Sequence, residues 1–396
     1  MSKELAASFS EELSVLDSQA LRRRLKVIDS LDGALVFSGE RRYVCWCSND
    51  YLGLSQHPRC IQAMNAAAAK WGVGSRASRL LAGTSREHKR LEESLARWFG
   101  AEDALVFASG YLANLGILSS LLSQDDFVVA DKLIHASLWD ALRASGAKLR
   151  VFRHNDAAHA GELLKRSGKA RRRWIVAEGV FSMEGDKAPL KLLARAAQDH
   201  GAQLYLDDAH GAFVLGRTGR GSPEEAGVPI GQLVYMGTLG KALGCQGGFV
   251  VGSGEFIEWL HNKARTFIYS TALAAPVAAA AAEALHVIDE EPLWSQTLLR
   301  NTKLLHQGLI AESIPTARAA SHILPVFIGD SGRALKVGDF LWKKGQWCPA
   351  IRPPTVPKKE ARLRISLSAL HTPAQTEQLV SALSEAFRED GLKHAP

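Results

Sequence analysis

Cysteine is scarce. The chain has 5 in 396 residues, an odd count without the spacing of a disulfide-stapled secreted scaffold. Cys45 and Cys47 lie one residue apart in an apolar run. With no second cysteine pair to complete a ligand set, they read as two buried thiols of a strand and no metal is implied. The 34 glycines have no period, which excludes a collagen-like chain, and 46% hydrophobic against 22% charged residues excludes intrinsic disorder. Long apolar runs are also missing. The most apolar stretch, Thr271 to Ile288, is Ala-dominated and broken by Pro276, Glu283 and His286, so it reads as an internal packing helix rather than a membrane span. The first residues, MSKELAASFSEELSVL, carry Glu4, Glu11 and Glu12 and lack the apolar centre of a signal peptide, so a cytoplasmic location is expected.

The charge that is present is positive, +7 net, with one dense run: Lys165, Arg166, Lys169, Arg171, Arg172 and Arg173. No aromatic residues interleave with it and no nucleic-acid motif accompanies it. It reads as a solvated face first and an anionic partner second, and nucleic acid is not expected.

Through the middle of the chain, short apolar runs alternate with helical patterns. Strands are predicted at Ala104–Phe107, Phe127–Ala130, Leu149–Phe152, Trp174–Ala177, Gln203–Leu206, Leu233–Met236 and Gly248–Gly252. Helices are predicted at Leu112–Leu122, Leu138–Ala144 and Leu190–His200. Near-continuous apolar strands alternating with helices indicate a parallel sheet covered on both faces. From about residue 290 the pattern shifts to a smaller α+β unit: a helix at Trp294–Ala311, strands near Leu324–Phe327 and Arg362–Leu367, and a last helix at Pro373–Phe387. The expected division is an N-terminal helix (Lys3–Arg24) and arm over 1–47, a large domain over 48–289 and a small domain over 290–396.

In open α/β sheets, ligands bind beyond the carboxyl ends of the strands. Reading just past each strand gives Ser109-Gly110-Tyr111 at a helix start, Asp131 to His135, Glu178 to Asp186, Asp207-Asp208-Ala209-His210-Gly211, and Gly237 to Gly244 around Lys241. Singly these are ordinary caps and surface groups. Together they suit pyridoxal phosphate. That cofactor needs a lysine for its aldehyde, an acid for its ring nitrogen, a flat group against the ring and amide donors for its phosphate.

The motifs resemble the fold-type I pyridoxal-phosphate enzymes and, within them, the α-oxoamine synthases, which join an amino acid to an acyl thioester with loss of carbon dioxide. The resemblance rests on Ser48–Leu54 (SNDYLGL), Glu178–Asp186 (EGVFSMEGD), Asp207–Gly211 (DDAHG) with Gly219–Ser222 (GRGS), and Thr238–Lys241 (TLGK), and it covers nearly the whole chain. It implies a large domain with a mostly parallel sheet covered by helices, plus a smaller C-terminal α+β domain. Leu21–Arg24 and the stretch from Ala350 through Pro357 to Arg364 are similar to the members that condense L-alanine with a pimeloyl thioester in biotin biosynthesis. Other members, such as glycine C-acetyltransferase, are the alternative. Two departures bear on the acyl channel or subunit contact: Arg76 where some members carry small residues, and no proline directly after Thr271.

Carried over residue by residue, the resemblance implies that Lys241 binds the cofactor aldehyde and moves the substrate proton. Asp207 would face the ring nitrogen, with Asp208 structural, and His135 would lie flat on the ring. Ser182 and His210 would reach the phenolic oxygen. Gly110, Tyr111, Thr238 and Thr271 of a partner subunit would hold the phosphate, making an obligate homodimer with shared active sites. Arg364, assisted by Asn49 and with Arg362 as the alternative, would take the alanine carboxylate. Arg22, Arg352 and Thr355, with His135, would contact substrate. Acyl carrier protein or coenzyme A would deliver the acyl group.

Overall fold

The computed structural model describes residues 3–389. It divides into two compact units. The larger comprises Asn49–Ser182 and Asp186–Gln296. The smaller joins the chain up to Ser48, Met183–Gly185 and the chain from Thr297 onward.

The smaller unit opens with helix α1 (Lys3–Ser18), shorter than the Lys3–Arg24 expected. The helix stops because Ala20 turns left-handed (φ +55°), and the amides of Gln19 and Leu21 fold back on the carbonyls of Val15 and Leu16. The guanidinium of Arg352 donates to the carbonyls of Ala20 and Arg22 beyond that turn, supplying the partners that further helix would have supplied. Strands β1 (Ser30–Asp32), β2 (Leu35–Ser38) and β3 (Arg41–Cys45) form an antiparallel meander.

The larger unit contains α2 (Pro58–Trp71), α3 (Arg86–Phe99), β4 (Asp103–Phe107), α4 (Gly110–Leu121), β5 (Phe127–Asp131), α5 (Ala136–Ser145), β6 (Lys148–Phe152), α6 (Ala157–Leu164) and β7 (Arg173–Glu178). It continues with α7 (Leu190–Asp199), β8 (Ala202–Asp207), α8 (Ser222–Ala226), β9 (Val234–Thr238), β10 (Gly248–Gly252), α9 (Gly254–Lys263), α10 (Arg265–Ile268) and α11 (Ala275–Glu290). The seven strands order β4-β10-β9-β8-β7-β5-β6. β5 through β9 are parallel where they pair, as their buried apolar runs demand. β10 departs from the parallel expectation and runs antiparallel to both its neighbours. The cause is the connection from Thr238 to Gly248, which is too short for a crossover and can only turn back. β4 and β6 are the edge strands, and β6 exposes Lys148 and Arg150, which discourages further pairing there. The Ala-rich segment folds as the packing helix α11, with 11 of its 16 residues buried. Its small side chains let α2 and α3 approach closely.

The smaller unit resumes with most of α12 (Leu293–Ala311), then β11 (Ile323–Gly329), α13 (Ser331–Lys343), β12 (Gln346–Trp347), β13 (Ala350–Ile351), β14 (Ala361–Ser366) and α14 (Pro373–Glu389). β12 pairs in parallel with β3, so the N-terminal meander gains a fourth strand from the C-terminal part of the chain. Tyr43 stacks on Trp342 with ring centres 3.7 Å apart, and Lys26 caps that indole at 3.4 Å. β14 lies between β11 and β13 and buries all six of its residues, two of them arginines. Among the described residues no helix is long and apolar enough to cross a membrane.

Candidate active site

Seven of the residues singled out from the sequence line one cavity of about 190 Å³ in the larger unit: Gly110, Tyr111, His135, Asp207, His210, Thr238 and Lys241. They come from the start of α4, from the last residues of β8 and β9, and from the chain just beyond β5, β8 and β9, the carboxyl ends of the sheet. A larger cavity, about 790 Å³, opens at the opposite ends of β8 and β9 beside Gln203 and Val234. Its only ionisable lining residue is Glu102, so size does not choose between the two.

Lys241 sits on the tight connection between β9 and β10, closed by Gly244 N–H to Lys241 O (2.8 Å) and Cys245 N–H to Leu239 O (2.9 Å). Gly244 is required there: its φ is +63°, and a Cβ would run into the backbone of Leu54 and Ser55. The Lys241 Nζ lies 2.7 Å from His210 Nε2. An ammonium only donates, so Nε2 accepts. Nδ1 then carries the ring proton and donates to Tyr51 Oη at 2.6 Å, and the phenol donates to Asn49 Oδ1 at 3.1 Å. The result is a directed chain of donors from Lys241 to Asn49.

Asp207 ends β8 and is nearly sealed. Its Oδ1 accepts the Ala209 amide at 3.0 Å and its Oδ2 accepts Asn114 Nδ2 at 2.6 Å. His135 caps α5, with Nδ1 accepting the Ser137 amide at 3.2 Å, while its own amide donates to the Glu178 carboxylate. Burial, opposed by Asp207 and helped by Lys241, holds this imidazole below its usual pKa, which favours the neutral ring.

Asp208 is aimed elsewhere. It is fully buried and accepts from the Ser222 amide (2.8 Å), the Ser222 hydroxyl (2.5 Å) and Tyr235 Oη (2.9 Å). Burial pushes it up to about 7 despite those donors. A Cβ at Gly179, Gly211 or Gly221 would strike its carboxylate, so three glycines make room for one side chain.

At the other end of the cavity, Ser109 caps α4 by accepting the Leu112 amide at 3.2 Å, and the first-turn amides of Gly110 and Tyr111 have no acceptor within the helix. Gly248 on β10 lacks the side chain that would strike Gly110, so the helix terminus rests directly on the sheet. Thr238 Oγ1 donates to the Gly247 carbonyl at 2.7 Å and accepts the Gly240 amide at 3.2 Å. A buried carboxylate, an amine, a flat neutral imidazole and a helix N-terminus around one cavity fit the ring nitrogen, aldehyde, ring face and phosphate of pyridoxal phosphate.

Not every expected residue lines this cavity. Ser182 is half-buried in the segment after β7, and Thr271 lies on an exposed segment that bridges to Ser78. Asn49 joins the site through Tyr51. Arg22, Arg352, Thr355 and Arg364 belong to the smaller unit, where Arg22 pairs with Asp17 at 2.6 Å and Arg364 is buried on β14. Arg362, on the same strand, is committed to Glu184 (3.1 Å) and Glu360 (2.9 Å) over the face of Phe327. Sequence reasoning overlooked Asn114 and Ser137, and gave no role to Glu178 and Tyr51 although both lie in the motifs quoted from the sequence. The one signal for Asn114 was a lone asparagine inside an apolar helix.

The aminotransferase class I and II family model matches residues 41–383. The chain is 45% identical over 350 residues to the 8-amino-7-oxononanoate synthase of Saccharophagus degradans, covering 88% of each. It is 45% identical over 373 residues to that of Anaeromyxobacter dehalogenans, covering 94% of each. A variant serine palmitoyltransferase of S. paucimobilis, solved with a bound PLP–myriocin aldimine, superposes with a TM-score of 0.93 at 31% identity and covers 98% of each chain. Fold, cavity and relatives agree: the chain belongs to the pyridoxal-phosphate-dependent class I and II aminotransferase family, in its α-oxoamine synthase branch.

Proposed function

We propose that this protein condenses L-alanine with a pimeloyl thioester to give 8-amino-7-oxononanoate, carbon dioxide and the free thiol, a step of biotin biosynthesis. The observation that carries the reading is the convergence of Lys241, Asp207, His135 and His210 on one cavity from different strand ends. Identity of 45% to 8-amino-7-oxononanoate synthases, against 31% to serine palmitoyltransferase, favours this member of the branch.

In this reading Lys241 holds the cofactor at its aldehyde, Asp207 holds the ring nitrogen, and His135 covers the ring face. The Gly110 and Tyr111 amides and Thr238 hold the phosphate, and Ser182 and His210 serve the phenolic oxygen. When bound, the cofactor supplies a ring that takes up the electron pair left at the alanine Cα. Lys241 Nζ, released when the alanine amine takes its place at the aldehyde, would remove that proton and later return one. His210 Nε2, bonded to Nζ, orients the amine. Arg364 takes the alanine carboxylate, as the resemblance implies, with Arg362, which pairs with Glu184 and Glu360, as the alternative. Arg22, Asn49, Arg352 and Thr355 complete the substrate contacts.

Thr271 would serve the site of a second subunit. Exposed Leu80, Leu81 and Tyr269, beside the Ser78–Thr271 bridge, support a homodimer face there. An acyl carrier protein as donor is the finer proposal, with the basic run after α6 as a steering surface. Arg171, however, is tied to buried Asp126 at 2.6 Å and Arg173 to Ser167, leaving Lys165, Arg166, Lys169 and Arg172 for that role. The test is product mass from purified protein given L-alanine, glycine or L-serine with pimeloyl, acetyl or palmitoyl thioesters. The expected product is 8-amino-7-oxononanoate from the first of each, abolished by Lys241→Ala. Turnover only with glycine or serine would overturn the substrate assignment.

A further inference from the structure

We propose that Asn114 is a positioning residue that sets the orientation of Asp207 and the tautomer of His135 together. Asn114 lies one turn into α4 and is the only polar residue among those the helix buries. Its amide is fully engaged. Oδ1 accepts from Tyr205 Oη at 2.7 Å, and Nδ2 donates to Asp207 Oδ2 at 2.6 Å and to Ser137 Oγ at 2.9 Å.

These partners allow one arrangement only. The Asp207 carboxylate can accept but not donate, so the amide nitrogen must face it. Tyr205 is wholly buried, and its phenol keeps its proton because burial raises its pKa well above the usual value; it must therefore find an acceptor, and Asn114 Oδ1 is that acceptor. Flipping the amide would set Oδ1 against the carboxylate and leave the phenol facing a donor. The Tyr205 hydroxyl, itself fixed on strand β8, thus locks the asparagine.

The consequence runs on through Ser137. Its Oγ accepts from Asn114, so its own proton points to the remaining acceptor in reach, His135 Nδ1 at 2.9 Å. The Ser137 backbone amide donates to the same nitrogen at 3.2 Å. Nδ1 is held as an acceptor by two donors, and the ring proton resides on Nε2. Without Asn114 the Ser137 hydroxyl is free to turn and accept from Nδ1. Asp207 then keeps one protein donor, on Oδ1 alone. One buried amide therefore couples the two groups that meet the ring edge and the ring face, without touching substrate itself.

This inference rests on the pyridoxal-phosphate reading of the cavity, and the experiment separates the two. The first arm uses the cofactor-free protein labelled with ¹⁵N-histidine, with the His135 signals assigned by their loss in His135→Gln. The parent is expected to show Nδ1 as the unprotonated, hydrogen-bonded nitrogen and Nε2 as the protonated one. Asn114→Ala is expected to give a mixture of tautomers. The second arm measures pyridoxal phosphate binding by fluorescence. Asn114→Ala is expected to weaken it about tenfold, the scale of one lost hydrogen bond to a charged group. Ser137→Ala is expected to change the tautomer while leaving binding closer to the parent, a split that general loosening would not produce. It also serves if Asn114→Ala does not fold. A parent tautomer in both variants would overturn the proposal, as would unchanged cofactor affinity in Asn114→Ala. Failure of the parent to bind pyridoxal phosphate would overturn the cofactor reading and leave the first arm intact.

Discussion

The buried ion pair between Arg79 and Glu92 offers the sharpest test of what holds the larger unit together. Arg79 grips the Glu92 carboxylate with two bonds, 2.8 and 3.1 Å, and both side chains are nearly sealed from water, at 6% and 1% exposure. Glu92 also accepts the Val106 amide of β4 at 3.1 Å and Lys89 Nζ at 3.2 Å, so it ties the loop before α3, α3 itself and the sheet. Burial alone would raise the Glu92 pKa, but the guanidinium outweighs it and holds the carboxyl below its ordinary value of 4.5.

Arg79→Met keeps most of the side-chain volume and removes the charge. Breaking a buried pair typically costs about 3–5 kcal/mol because the remaining charge is left without its partner. Lys89 stays in place, so the lower end, about 3 kcal/mol, is expected. Adding Glu92→Gln should recover about half of it, since a neutral amide has less to lose by burial. The pH dependence has a definite sign. In the parent, Glu92 contributes stability above pH 4.5 that is lost as pH falls, because its folded pKa is depressed. In Arg79→Met the unpaired carboxylate is destabilising when ionised, so the parent–variant gap should be full at neutral pH and shrink as the solution is acidified. Urea unfolding followed by tryptophan fluorescence reads both quantities. A loss below about 0.5 kcal/mol, the scale of a neutral surface change, or no recovery in the double variant, would refute the reasoning.

Three further outcomes are expected. His154 lies 2.9 Å from both Asp131 and Asp186; against the burial that would deprotonate it, these carboxylates raise its pKa to about 10. Its contribution should be complete below the ordinary 6.5 and disappear as pH rises through about 10, so His154→Gln should lose about 2 kcal/mol, discounted for solvent screening, at pH 6 and little at pH 10 in matched urea titrations. Asp207→Asn should lower turnover by about three to four orders of magnitude with unchanged unfolding, the scale seen when a group orienting a catalytic unit is neutralised. Asp208→Asn should instead lower the melting temperature, and the reverse pattern in paired activity and calorimetry would exchange the two roles. Arg364→Ala should weaken alanine binding by about 2–5 kcal/mol in a spectroscopic titration. If Arg362→Ala shows that loss instead, the carboxylate contact moves there.

What the sequence made legible follows from what each residue needs locally. The parallel strands announce themselves because both faces of β5, β7 and β8 are buried, leaving runs without polar interruption. The site residues beyond them follow from topology. The direction of β10 was missed because alternation alone does not weigh the length of a connection. α3 was missed because its sequence is dominated by charge, although Leu91, Leu95 and Phe99 line its inner face. The roles of Asn114 and Tyr51 could not be read locally, although one stands out as a lone asparagine in an apolar helix and the other lies in a quoted motif. Their importance lies in partners Tyr205 and His210, far away in the chain, and only tertiary packing reveals that their hydrogen bonds have one solution.

The pocket of glycine around Asp208 changes what a mutational scan of this chain would mean. Alanine at Gly179, Gly211 or Gly221 would press a methyl group onto the same carboxylate, from positions up to 42 residues apart. Loss-of-function at these sites would cluster beside Asp207 and His210 and look like a map of chemistry. It would be a map of one side chain's need for space, and much of the apparent signature around the DDAHG and GRGS segments would report steric fit rather than participation in the reaction. Only residues whose substitution removes activity while leaving the melting temperature intact would then trace the reacting groups themselves.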